Sequence, residues 1–211
     1  MSDSRQILLT LDDHPAPHTD ALGWQWAYGC FETFCWSDGT AIGLEKHLDR
    51  LLLGCRELSL ECLLEKRDLE KRLKAALDPF GEKRLRVRLE AVLDDLGLMR
   101  GDDPPFRMRI GVRARETRFA SAQSPFSITL LTEKESAPFF PMPSYKPLAY
   151  GARLRMRNRL LRQQLTEAIV VTEDLRVVSG LTSNLFVRTS EGVWLSPNLE
   201  SGCLPGVTRA L

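Results

Sequence analysis

At 211 residues, 43% of them hydrophobic, the chain is long enough to bury one large core or two small ones. Its 29 basic and 28 acidic residues nearly cancel, so no global field points to nucleic acid or an anionic membrane as a partner. The opening Met-Ser-Asp-Ser-Arg lacks the apolar stretch of a signal peptide, and no run approaches the ~20 apolar residues of a membrane span, so neither is expected.

Gln6 to Leu11 reads as a short strand, followed by a His/Pro/Asp loop. His14 and His18 are four apart, but Pro15 and Pro17 beside them rule out the helix that would aim both at one metal; no metal site is expected. Tyr28 to Trp36 is an aromatic-rich strand closed by a Ser-Asp-Gly turn at residues 37–39. Gly43 opens a helix to about Leu58, with Leu44, Leu48, Leu51, Cys55 and Leu58 as its apolar stripe and Arg50 on a flank. A second amphipathic helix covers Leu64 to Leu77, stopped by Asp78-Pro79 and Gly81. The five cysteines (Cys30, Cys35, Cys55, Cys62, Cys203) are odd in number, scattered and never spaced Cys-x-x-Cys; thiols in a reducing cytoplasm account for them.

Arg84 to Val92 alternates Arg84, Arg86 and Arg88 against Leu85, Val87 and Leu89, the period of a strand with one polar face. Phe106 to Val112 repeats the pattern with Arg107 and Arg109, and Phe126 to Thr132 is a third strand. Arginines on such faces are ordinarily solvated; beside an active site one or two could receive a carboxylate. Ala137 to Ser144 holds three prolines in eight residues and reads as a linker between two lobes. A helix then runs to about Leu165 carrying Arg153, Arg155, Arg157, Arg159 and Arg162, a charge run that reads as a solvated face. Ala168 to Thr172 is an apolar strand, and Val193 to Leu195 another. Between them, Arg176 to Asn184 stops a β-branched run at a glycine and a cluster of hydroxyls. That is either an ordinary turn or a polar pocket for a small anion. Two glycines and a proline in 201–209 precede a helix start.

Five segments together resemble the fold-type IV pyridoxal-phosphate enzymes, which include the branched-chain and D-amino-acid aminotransferases and 4-amino-4-deoxychorismate lyase. They are Gly29-x-Phe31-Glu32-Thr33, His47-Leu48-x-Arg50-Leu51, Lys146-x-x-x-Tyr150, Gly180-x-Thr182-Ser183-Asn184-Leu185-Phe186 and Gly206-Val207-Thr208-Arg209, in the family's order and spacing. The resemblance implies a two-lobed α/β fold: a small α/β domain over 1–137, a linker at 138–145 and a large cofactor-binding domain over 146–211. It also implies a homodimer with pyridoxal 5′-phosphate as cofactor. Lys146 would condense with the cofactor aldehyde and act as general base, with Tyr150 near the phenolic oxygen or the Schiff base. Arg50 would pair with the phosphate, completed by Thr182, Ser183, Asn184 and the backbone amides of Val207 and Thr208 at a helix N-terminus. A rival register through Asn158-Arg159-Leu160 would put Arg155 in the lysine's place. It leaves too few residues before the strand at Glu167, so Lys146 is preferred. Arg86, Arg88, Arg107 and Arg109 are the candidates for substrate carboxylates.

Two departures from the family pattern stand out. The glutamate that usually precedes the glycine of the Gly-x-Thr-Ser-Asn segment is replaced by Ser179, which can hydrogen-bond to the ring nitrogen but carries no counter-charge. Elimination tolerates a weaker electron sink than transamination does, so the expected activity is a lyase resembling 4-amino-4-deoxychorismate lyase on the folate route. The alternatives are a class IV amino-acid aminotransferase or a non-catalytic relic. The second departure is length: the family runs some tens of residues further, so the C-terminal part is expected to be short, with the sequence cut or the site incomplete.

Overall fold

In the computed structural model, residues 6–11, 21–94, 97–117, 127–137 and 140–211 are described, so His14 and His18 lie outside the described residues. The chain divides into two units, one formed by 1–120 with 145–148 and the other by 121–144 with 149–211.

In the first unit the elements are β1 (Gln6–Thr10), α1 (Gly23–Trp26), β2 (Gly29–Trp36), α2 (Leu44–Glu57), β3 (Leu60–Glu61), α3 (Lys66–Leu77), β4 (Leu85–Leu93), α4 (Gly97–Arg100) and β5 (Phe106–Glu116). Their sheet runs β1-β5-β4-β2, antiparallel throughout, with β3 added parallel to β5. The arginine alternation sets its register. Arg88 stands opposite Thr33 and Arg113, and Glu90 opposite Phe31, all on one face; Glu32, Leu89 and Val112 share the other.

That second face is the core. Leu85, Val87 and Leu89 are fully buried under α2 and α3, which contribute Leu48, Leu51, Leu69, Leu73 and Leu77. Each fully buried leucine contributes on the order of 1.5–3 kcal/mol by leaving water. Gly54 lets α2 approach closely: a Cβ there would lie 2.8 Å from Cys30 Sγ and 2.9 Å from Tyr145 Cβ. Asp38 and Gly39, both at positive φ, close the expected turn after β2.

In the second unit β6 (Ile128–Leu131) is followed by α5 (Glu133–Ser136), α6 (Gly151–Arg162), β7 (Glu167–Val171), β8 (Val177–Gly180), β9 (Val187–Arg188) and β10 (Trp194–Leu195). β6 pairs parallel to β7, β7 antiparallel to β8, and β9 with β10. Leu131, Leu160, Ala168, Val170 and Leu181 form this unit's own core.

The units divide earlier than the proline-rich segment suggests. Ile128–Leu131, expected in the small domain, takes its hydrogen bonds from β7 and therefore belongs to the second unit. Tyr145–Leu148 in turn returns to the first, because Phe31 N–H donates to the Lys146 carbonyl and Leu148 N–H to the Gly29 carbonyl, both at 2.9 Å. After Gly206 the last element is a 3-10 turn, Thr208–Ala210. No helix among the described residues is long and apolar enough to cross a membrane.

Candidate active site

β2 organises the candidate residues of the first unit, because its pleat sends Phe31 and Glu32 to opposite faces. Glu32 is fully buried and holds both predicted residues of α2 that reach it. Arg50 Nε donates to one carboxylate oxygen at 2.6 Å and Nη2 to the other at 2.7 Å; His47 Nδ1 donates to the second at 2.7 Å. Positions 47 and 50 are one helical turn apart, so both side chains meet one carboxylate. Burial alone would push the Glu32 pKa up, but hydrogen bonds from Arg50 and His47 outweigh it and hold it below the usual carboxylate range. Arg50, placed on a flank by its spacing, is itself buried (8% exposed).

On the other face, Phe31 carries two cations. The Arg88 guanidinium lies 3.6 Å from the ring centre and the Lys146 ammonium 5.5 Å from it. Arg88 Nε also donates to Glu90, and Arg113 Nε donates to the second Glu90 oxygen at 3.0 Å while lying over Trp24. Glu90 is thus a buried carboxylate clamped by two arginines. Of the other substrate candidates, Arg86 and Arg107 are exposed, and Arg109 forms a 2.6 Å ion pair with Asp94. Arg88 shares the Phe31 ring with Lys146.

In the second unit Tyr150 caps α6, and its hydroxyl accepts from Arg153 Nη1 at 3.1 Å. Ser179 is buried in β8, and its hydroxyl donates to the Ser183 carbonyl at 3.0 Å. That leaves the oxygen's lone pairs as its remaining function. The hydroxyls of Thr182 and Ser183 donate to one oxygen of Glu167, at 2.8 and 3.1 Å. Both residues expected at an anion site thus turn their hydroxyls to the Glu167 carboxylate. Asn184 Nδ2 donates to the Leu204 carbonyl at 3.0 Å, and a Cβ on Gly206 would sit 1.6 Å from Asn184 Oδ1. Asn184 therefore braces the loop carrying Val207 and Thr208. The 3-10 turn Thr208–Ala210 follows directly after Val207.

Glu90, Arg113 and Arg153 were not singled out by sequence. The first two had a legible signal, an acidic residue and arginines at even spacing on paired strands. Arg153 had none, being one of five arginines in a single helix.

A family profile described as Amino-transferase class IV matches residues 29–211. Aminodeoxychorismate lyase from Bacillus subtilis (strain 168) is 25% identical over 191 residues, covering 89% of this chain; the chain spans 64% of that curated relative's length. Among solved structures, the pyridoxal-phosphate-bound form of a hypothetical aminotransferase from Mycobacterium tuberculosis superposes with a TM-score of 0.74 at 22% identity, covering 96% of this chain and 75% of that one. A branched-chain aminotransferase from Thermoproteus uzoniensis, solved with norvaline, gives 0.78 at 18% identity, covering 98% and 72%. The fold is that of the fold-type IV enzymes.

Proposed function

The chain belongs to the class IV aminotransferase family, and from that premise we propose that it is a pyridoxal 5′-phosphate-dependent lyase of the aminodeoxychorismate lyase kind, releasing pyruvate and leaving 4-aminobenzoate on the folate route. The proposal includes a homodimer working in the cytoplasm. The residues offer the chemistry this cofactor requires: a half-buried amine at Lys146, a buried guanidinium at Arg50, a phenol at Tyr150, and a buried acceptor oxygen at Ser179. When bound, the cofactor supplies an aldehyde that captures an amine and a ring that draws electron density from the substrate's α-carbon.

Lys146 would hold the cofactor through its amine and would move the substrate's α-proton as general base. The ring of Phe31 below it keeps that amine against an apolar surface. Arg50 balances the phosphate charge. Glu32 holds its Nε–Nη2 edge and so fixes the orientation of the guanidinium. The backbone amides of Val207 and Thr208 would add donors, and Tyr150 would donate to the phenolic oxygen. Arg88, beside Lys146 on Phe31, is the candidate for the substrate carboxylate.

The observation that carries the lyase reading is Ser179. Its hydrogen goes to the Ser183 carbonyl, so its oxygen can accept from a ring N–H without providing a negative charge. A weaker sink penalises transamination, in which the ring must hold the charge alone, more than elimination, in which the leaving group shares it. The sequence likeness to aminodeoxychorismate lyase supports the same side. Purified protein incubated with the cofactor should be yellow and bleach with borohydride, and Lys146→Ala should lose the band. It should release 4-aminobenzoate from aminodeoxychorismate faster than it forms keto acids from amino acids. Ser179→Glu should move that ratio toward transamination; an unchanged ratio refutes the assigned role of Ser179.

A further inference from the structure

Arg153 belongs to a charge run, yet it is only 4% exposed. Burying a guanidinium requires that its donors and its charge be met from within. Here Nη1 donates to the Tyr150 hydroxyl at 3.1 Å, and Nη2 faces the Met142 sulfur. The guanidinium carbon lies 4.9 Å from the centre of the Phe140 ring and 5.0 Å from that of Tyr150. A cation held against two π faces has little freedom to turn. The spacing is that of neighbours one helical turn apart, since Tyr150 caps α6 and Arg153 lies in its first turn.

The direction of the hydrogen bond follows from the donor inventory. A guanidinium has five N–H groups and no acceptor, so the Tyr150 oxygen must accept. The phenol's own hydrogen is then turned to a different acceptor. Without Arg153, the hydroxyl hydrogen could also swing into the direction the guanidinium occupies. We propose that Arg153 is a positioning residue that fixes Tyr150 as an obligate hydrogen-bond donor toward the phenolic oxygen of pyridoxal phosphate. The inference rests on the cofactor assignment above and adds to it a residue that never touches the cofactor.

A double-mutant cycle on the full chain tests it, reading the dissociation constant of pyridoxal phosphate from its absorbance band rather than turnover. Tyr150→Phe and Arg153→Met should each weaken binding ~10-fold, the scale of one hydrogen bond to a charged group. The double variant should bind no more weakly than Tyr150→Phe alone. Arg153→Lys, which keeps a donor and a charge, should recover part of the loss. A purely structural arginine would instead multiply its effect onto that of Tyr150→Phe, giving ~100-fold in the double variant. That result, or an Arg153→Met protein that binds as the wild type does, overturns the inference. Should circular dichroism show that Arg153→Met does not fold, the Arg153→Lys cycle is read by the same rule: its effect must vanish when residue 150 is phenylalanine. A wild type that takes up no cofactor overturns the cofactor assignment and this inference together, whereas intact wild-type binding with an additive cycle overturns the inference alone.

Discussion

Replacing Glu32 by glutamine removes the charge at the centre of a buried cluster while keeping its shape. The carboxylate is fully buried and receives three hydrogen bonds of 2.6–2.7 Å, two from Arg50 and one from His47. An amide offers a single acceptor oxygen and turns an NH2 group toward one of those donors. Arg50, 8% exposed, is then left as a buried cation without its counter-charge. Breaking a buried ion pair on one side costs about 3–5 kcal/mol. At roughly 2–4 °C per kcal/mol for a chain of this size, even the lower figure lowers Tm by roughly 6–12 °C. Urea unfolding followed by tryptophan fluorescence measures the loss directly. The acid limb supplies a second reading. Because the folded-state pKa of Glu32 is lowered, its stabilisation is complete above the unfolded value of about 4.3 and is lost as pH falls through the lower folded value. Glu32→Gln should therefore show its deficit at neutral pH, with the gap to the wild type closing below about pH 4 as the native carboxylate takes up its proton. A deficit under about 1 kcal/mol at pH 7, or one that does not shrink in acid, would refute the assignment of Glu32 as the group that balances Arg50.

Two further outcomes follow from packing. Gly54→Ala places a methyl 2.8 Å from Cys30 Sγ and 2.9 Å from Tyr145 Cβ, so α2 must back away; a loss of about 1–3 kcal/mol in the same urea assay is expected, and an unchanged midpoint would contradict the close approach. None of the five cysteines is in a disulfide. Cys30 is buried 3.9 Å from Cys55, and its hydrogen bond with Cys55 and its burial push its pKa well up, whereas Cys35 is exposed. Iodoacetamide at pH 8 should thus label Cys35 in the native protein and leave Cys30 unlabelled until denaturant is added, as peptide mass spectrometry would show.

The secondary structure was legible because it depends on local periodicity. The alternation of Arg84 to Val92 predicted both a strand and its inward face, and the Leu44 to Leu58 stripe predicted which side of α2 meets the sheet. The five spaced segments, Gly29-x-Phe31-Glu32-Thr33 onward, were enough to indicate the family and the fold. What sequence left undecided was which polar groups satisfy one another. Nothing in the order of residues says that Glu32 would hold Arg50 by its fork, that Glu90 would clamp Arg88 and Arg113, or that the Thr182 and Ser183 hydroxyls would be donated to Glu167. Those partners come from strands and helices distant along the chain and meet only through the sheet register. The same holds for Ile128–Leu131, whose hydrogen bonds to β7 carry it across the expected domain boundary, and for Arg153, which differs from four other arginines of its helix only in facing Phe140 and Tyr150. Local sequence sets which face a side chain takes; tertiary packing decides whether that face meets water or a partner.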